Sequence, residues 1–138
     1  LKVNGIADKN QIHPGQTLTA YNVKAWSLEI SKSRQQLAVI ADGQLFALYA
    51  VGVAEAVPAG EAYYQSREEL SAGADHRDYN GTRRLLLSNK TAIHGTWSEN
   101  VRGRFPAGDN GVRMSNSDIE ELYLYLPMLR ATKVKIID

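Results

Sequence analysis

The 138-residue chain contains no cysteine, which excludes a disulfide framework and any thiolate metal site. The redox compartment is thereby left open. Long apolar runs are also missing. No stretch approaches the ~18 consecutive apolar residues of a membrane span. Charge of one sign is lacking as well, with 16 Lys and Arg against 15 Asp and Glu. A net charge of +1 builds no field to draw nucleic acid or an anionic membrane surface. The chain opens in "LKVNGIADKN" without an initiator methionine or a signal peptide, so it reads as a trimmed piece of something longer, and cellular location stays open. What is present is ordinary for a soluble globular domain: 43% hydrophobic and 22% charged residues, too apolar for disorder. A chain of this length builds one core, burying roughly two thirds of its unfolded surface.

Residues 1–21, "LKVNGIADKNQIHPGQTLTAY", mix turn residues with isolated apolar points around Pro14-Gly15, a segment too short to fold alone. From Asn22 the pattern changes to period-2 alternation, with Trp26, Leu28 and Ile30 on one face and Ser27, Glu29 and Ser31 on the other, as in a half-buried strand. In "QQLAVIADGQLFALYAVGV" two apolar runs flank Asp42-Gly43, the pair that best tolerates the positive φ angles of a tight hairpin turn. Pro58 and Gly60 in "VPAGEAYY" mark a bend before another β-prone run. The polar "REELSAGADHRDYNGT" reads as a surface loop, and "RRLLLSNKTAIHG" as two short strands around Ser88-Asn89. One helix is expected to begin at Ser117, with Ser117 and Glu120 as a capping box. Ile119, Leu122, Tyr123 and Leu126 line its apolar face toward a sheet, and Pro127 ends it. In "TKVKIID", Val134 and Ile136 alternate with Lys133 and Lys135, giving a closing strand with one wet face. The expected fold is mainly β with one helix near the C-terminus.

"IHGT" (93–96), then "VRM" (112–114), a capped helix and a final "TKVKI" strand together resemble the catalytic domain of L,D-transpeptidases, the YkuD-type cell-wall enzymes. "VPAG" (57–60) is similar to that family's TPxG turn, and residues 28–54 resemble its first hairpin. The resemblance covers residues 22–138 and implies a β-sandwich or barrel with one helix packed on a sheet. The opening 21 residues resemble the second half of a LysM module, with Asn4, Ile12, Pro14, Gly15, Gln16 and Leu18 at the pattern's positions. LysM modules bind N-acetylglucosamine polymers and commonly precede such domains, although half a module is not expected to hold a glycan.

The resemblance implies acyl transfer at peptidoglycan stem peptides in the periplasm or cell envelope, without a cofactor or metal. In that family a cysteine in a Ser-His-Gly-Cys-x-Arg motif attacks a stem-peptide carbonyl. A thiolate activated by a nearby base, and donors around the developing oxyanion, are the physical requirements. Here the nucleophile is absent. Aligned without gaps from Arg113, the cysteine position holds Gly111, the preceding glycine position Asn110 and the motif histidine position Asp109. With one residue deleted, Asp109-Asn110-Gly111 stands instead for Ser-His-Gly. His94 and Arg113 occupy family-like catalytic positions, while Gly95, Thr96, Trp97, Asp109, Asn110 and Gly111 are the substrate-binding candidates.

Each has a plainer reading beside the functional one. His94 can be a hydrogen-bonded structural residue, Arg113 a tie between loop and sheet, residues 108–111 a permissive turn, and Trp97 rim packing. His13 and His76 read as solvated. The three histidines are too scattered for a metal site, and Arg83, Arg84, Arg102 and Arg104 read as a solvated basic rim. Three functions fit. One is a degenerate transpeptidase-like domain that binds stem peptide or glycan without turnover. Another is an acyl transferase with Ser98, Ser115 or Asp109 as nucleophile and His94 as base. The third is a scaffold or protein-interaction domain.

Overall fold

The computed structural model describes residues 24–69, 81–96, 100–103, 105, 109–126 and 132–138. The LysM-like segment, His13, His76, Trp97, Ser98, Arg104 and Pro127 lie outside the described residues.

Among the described residues, nine strands and one helix follow in the order β1 (Trp26–Ser31), β2 (Gln36–Ala41), β3 (Gln44–Ala50), β4 (Gly52–Val53), β5 (Gly60–Glu69), β6 (Arg83–Leu87), β7 (Ala92–His94), β8 (Gly111–Arg113), α1 (Asn116–Tyr125) and β9 (Lys133–Ile137). The strand order is β3-β2-β1-β9-β5-β6-β7-β8-β4. β3 and β4 stand at opposite ends of that order, yet only Val51 separates them in the chain. The sheet must therefore curl until its ends meet, which makes it a nearly closed β-barrel. The long β5 spans the curve: its first residues pair with β9 and its last with β6, with a register irregularity between Tyr64 and Ser66.

The alternation read from the sequence fixes which face is inside. Leu28, Val39, Val134 and Ala62 fall in one register row, and Ile30, Leu37, Tyr49 and Ile136 in the next. All are buried. On the far side of the barrel Leu85, Ile93 and Val112 share a row with no exposure. Asp42 (φ 49°) and Gly43 (φ 83°) make the expected β2–β3 turn, and the Asp42 carboxylate accepts from the Lys24 and Ala25 amides. β9 keeps its wet face, with Lys133 and Lys135 exposed. It lies inside the sheet, parallel to β1 and antiparallel to β5.

α1 stands against β3. The Tyr49 hydroxyl donates to Glu121 Oε1 at 2.7 Å, and Tyr125 meets Phe46 edge-to-face at 4.9 Å. Ile119, Leu122 and Leu126 bury the apolar face. At its C-terminal end Arg67 Nη1 donates to the Tyr123 and Leu126 carbonyls, both at 2.9 Å, satisfying acceptors the helix leaves open. The helix begins two residues earlier than its sequence signal. Ser115 is the N-cap, its hydroxyl accepting from the Asp118 amide at 3.1 Å, whereas Ser117 is exposed. Two further differences reflect strand length. β4 and β8, of two and three residues, are too short to show alternation. β5 continues through Arg67 to Glu69, into the segment that reads as loop, because Arg83 and Arg84 of β6 pair with its polar end.

Candidate functional site

Register brings the family-like residues together on the outer face of β5 to β8. Paired residues on neighbouring strands point to the same face. The pairs Glu68–Arg84, Arg84–His94 and His94–Arg113 therefore form one continuous row of ionisable side chains. Beside it runs a second row, Leu86, Ala92 and Gly111. Leu85, Ile93 and Val112 point the other way, into the core.

His94 is 2% exposed although it sits on the outer face. Its Nδ1 lies 2.7 Å from the Gly95 carbonyl oxygen; Nδ1–H is the donor, which leaves Nε2 as the basic nitrogen. Burial pushes the imidazole below its ordinary pKa, opposed by the Gly95 hydrogen bond and the Asp109 charge and reinforced by the Arg113 and Arg84 charges. The ring is neutral at pH 7.

A Cβ added at Gly111 would stand 2.9 Å from His94 Nε2, 3.2 Å from His94 Cδ2 and 3.1 Å from Asp109 Oδ1. Gly111 is thus the position that faces the imidazole. The Asp109 carboxylate is held there by the Gly111 amide, which donates to Oδ1 at 2.8 Å. Asn110 leans away, its Nδ2 donating to the Lys90 carbonyl at 3.4 Å. Gly111 opens strand β8 and has no positive φ, so the permissive turn read over residues 108–111 does not extend to it. Its glycine is explained by crowding.

Gly95, Arg113 and Ser115 also make packing and capping contacts. A Cβ at Gly95 would run into Asn116 Oδ1 and come within 2.9 Å of Ile119 Cγ2, so this glycine lets α1 approach the end of β7. Asn116 Oδ1 also accepts from the Thr82 amide at 3.0 Å, and Thr82 Oγ1 donates to Glu120 at 2.7 Å. Thr96 is half-buried. Arg113 is 7% exposed, stacked 4.0 Å over the Phe105 ring, with Nη1 3.5 Å from the Gly103 carbonyl. These contacts tie the loop to the sheet. Ser115 caps α1.

The basic rim is not a uniformly solvated face. Arg102 donates to the Gln35 carbonyl at 2.6 Å and to the Val51 carbonyl at 3.2 Å. Arg83 lies over Tyr123 at 5.1 Å. Arg84 belongs to the site row and pairs with Glu68 at 3.1 Å. Sequence reasoning missed Arg84; the signal was its alternation with the inward Leu85 and Leu87, which puts it on the face of His94. Among the described residues, no group of three or more His, Cys, Asp or Glu could hold a metal ion.

No protein-family model and no curated protein matches the sequence. Solved structures do match. The chain is similar to the L,D-transpeptidase of Xylanimonas cellulosilytica (residues 123–326), with 16% identity, a TM-score of 0.65, and 91% of this chain and 70% of that one covered. It is similar to an L,D-transpeptidase (Yku) from Stackebrandtia nassauensis, with 18% identity, a TM-score of 0.66, and 83% and 56% covered. It is also similar to Bd1075 of Bdellovibrio bacteriovorus, with 16% identity, a TM-score of 0.64, and 86% covered. The chain spans about half, 49%, of that last structure's length. The fold is that of the L,D-transpeptidase domains.

Proposed function

We propose that this domain works in peptidoglycan metabolism at the cell envelope, holding stem peptide or glycan without turning it over. The observation that carries the reading is the crowding at Gly111. Where a side chain would project toward the imidazole, Nε2 and the Asp109 carboxylate already stand within 2.9 and 3.1 Å of its first atom. A thiol cannot simply be restored there, and the chain has no cysteine to supply one. A nucleophile and its base act as a unit, and loss of one removes most of the advantage of keeping the other.

Ser115 speaks against a serine-based alternative, because its hydroxyl is engaged as the α1 cap. In this reading residues 22–138 form the transpeptidase-like domain and residues 1–21 a LysM-like arm. His94, Arg113 and residues 95–97 and 109–111 form the wall that the ligand meets. The test is co-sedimentation with insoluble peptidoglycan, followed by mass spectrometry of its stem peptides after long incubation. Retention with unchanged stem-peptide masses is expected. Loss of a terminal residue or new cross-links would overturn the inactive reading, and absence of retention would overturn the binding one.

A further inference from the structure

We propose that Arg84 is a carboxylate-recognition residue of this site, the group that engages a free carboxylate of a peptide lying along the outer face of β5 to β8. The inference rests on the binding function proposed above and names the ligand chemistry.

Four observations support it. Arg84 shares the register row of His94 and Arg113, so a ligand over the imidazole runs past its guanidinium. The two ends of the row differ in access. Arg113 is stacked over Phe105 and 7% exposed, whereas the Arg84 side chain is 36% exposed; of the two guanidinium groups it is the more accessible. Its pairing is incomplete. Among the described residues its one hydrogen bond goes to Glu68 Oε1 at 3.1 Å, and its Nε–H is buried without an acceptor. A guanidinium carries five donors in a fork that matches a carboxylate.

The present partner is also easy to displace. Glu68 is 53% exposed, and ion pairs between solvent-accessible side chains contribute little, about 0–1 kcal/mol. A ligand carboxylate that takes the place of Glu68, with the guanidinium reoriented toward it, gives Nε–H the acceptor it lacks. Asp109, beside Gly111 of the neighbouring row, disfavours an anion next to the imidazole. The carboxylate is thus directed to the Arg84 end and the rest of the peptide toward His94.

The experiment is NMR titration of the full chain with N-acetyl-alanyl-alanine and, separately, with its C-terminal amide. The free acid is expected to bind about tenfold tighter than the amide, the difference made by a charge-assisted hydrogen bond. Arg84→Ala should abolish that ratio, and Arg84→Lys should retain part of it. Glu68→Gln, which removes the competing carboxylate, should tighten the acid and leave the amide unchanged. Equal affinity of wild type for acid and amide, or an unchanged ratio in Arg84→Ala, overturns the inference. So does failure of both peptides to bind. Retention on insoluble peptidoglycan, measured on the same protein, separates these failures from failure of the functional reading. A melting temperature within a few degrees of wild type shows that Arg84→Ala is folded.

Discussion

Gly111→Ala discriminates between a filled and an empty site by the sign of its effect on stability. An alanine in an extended strand position restricts the unfolded chain more than glycine does, which stabilises by about 0.4–1 kcal/mol where the native conformation accepts it. Gly111 has no positive φ, so the backbone accepts it. Against that stand the contacts of the new methyl group, 2.9 Å from His94 Nε2 and 3.1 Å from Asp109 Oδ1. Neither atom yields freely. The imidazole is 2% exposed and anchored through Nδ1 to the Gly95 carbonyl at 2.7 Å, and Oδ1 is held by the Gly111 amide. Overpacking of this kind costs about 1–3 kcal/mol, so the net effect is a loss of about 1 kcal/mol, the middle of a range from about 0 to 2.6 kcal/mol. Urea unfolding at pH 8, where the imidazole is neutral in both states, measures it. In a His94→Ala background the same substitution should cost less than about 0.5 kcal/mol, because the pair couples only through contact. A Gly111→Ala chain as stable as wild type or more so, or an equal cost in both backgrounds, would refute the crowding and with it the main support for an inactive site.

Three further outcomes are expected. Burial holds the His94 imidazole below its ordinary pKa of 6.5, so as pH falls the unfolded chain takes up this proton first; stability is full above about pH 6.5 and falls below it with a slope of up to ~1.4 kcal/mol per unit. The difference between wild type and His94→Gln in unfolding free energy against pH should carry that limb; a difference independent of pH from 8 to 5 would oppose it. Tyr49→Phe should lower stability by about 1–2 kcal/mol through loss of the 2.7 Å bond to Glu121, and an unchanged urea midpoint would show that α1 does not depend on that contact. Ser115→Ala should cost about 1 kcal/mol by thermal unfolding and Ser117→Ala under 0.5 kcal/mol; the reverse order would return the cap to Ser117.

The elements that the sequence announces are those with several periods of pattern or an unambiguous turn. β1 and β9 alternate over five or six residues, and Asp42-Gly43 adopts the left-handed angles its composition suggests. β4 and β8 carry two and three residues and exist because the curled sheet brings them together, which no local pattern records. The helix start was misplaced for a different reason. "SNSD" offers two serines, and the choice of Ser115 over Ser117 depends on where Asn116 docks, against Thr82 and Gly95, a tertiary fact. Of the site, His94, Gly111 and Arg113 were legible as a motif. Arg84 was not, since its place beside His94 follows from strand register between segments ten residues apart.

The same comparison explains why the motif is a weak guide to chemistry in this chain. Gly95 is fixed by the approach of α1, since any side chain there meets Asn116 and Ile119. Arg113 is fixed by the loop it holds through Phe105 and Gly103, and the carbonyl of His94 accepts the Met114 amide at 2.9 Å, pinning β7 to the chain just beyond β8. Gly95 and Arg113 would be needed in an inert scaffold of this fold, and any residue at position 94 would supply that carbonyl, so Gly95, Arg113 and the β7 backbone do not discriminate between enzyme and relic. Gly111 and Asp109 do, because an active thiol would demand the volume that the imidazole and the carboxylate now fill. Arg84 discriminates in another way: among the described residues its guanidinium has one exposed acid as a hydrogen-bond partner and its Nε–H has none, so packing accounts for little of its presence. Binding is therefore to be sought beside Arg84, and a test for turnover belongs at Gly111, where the crowding predicts none.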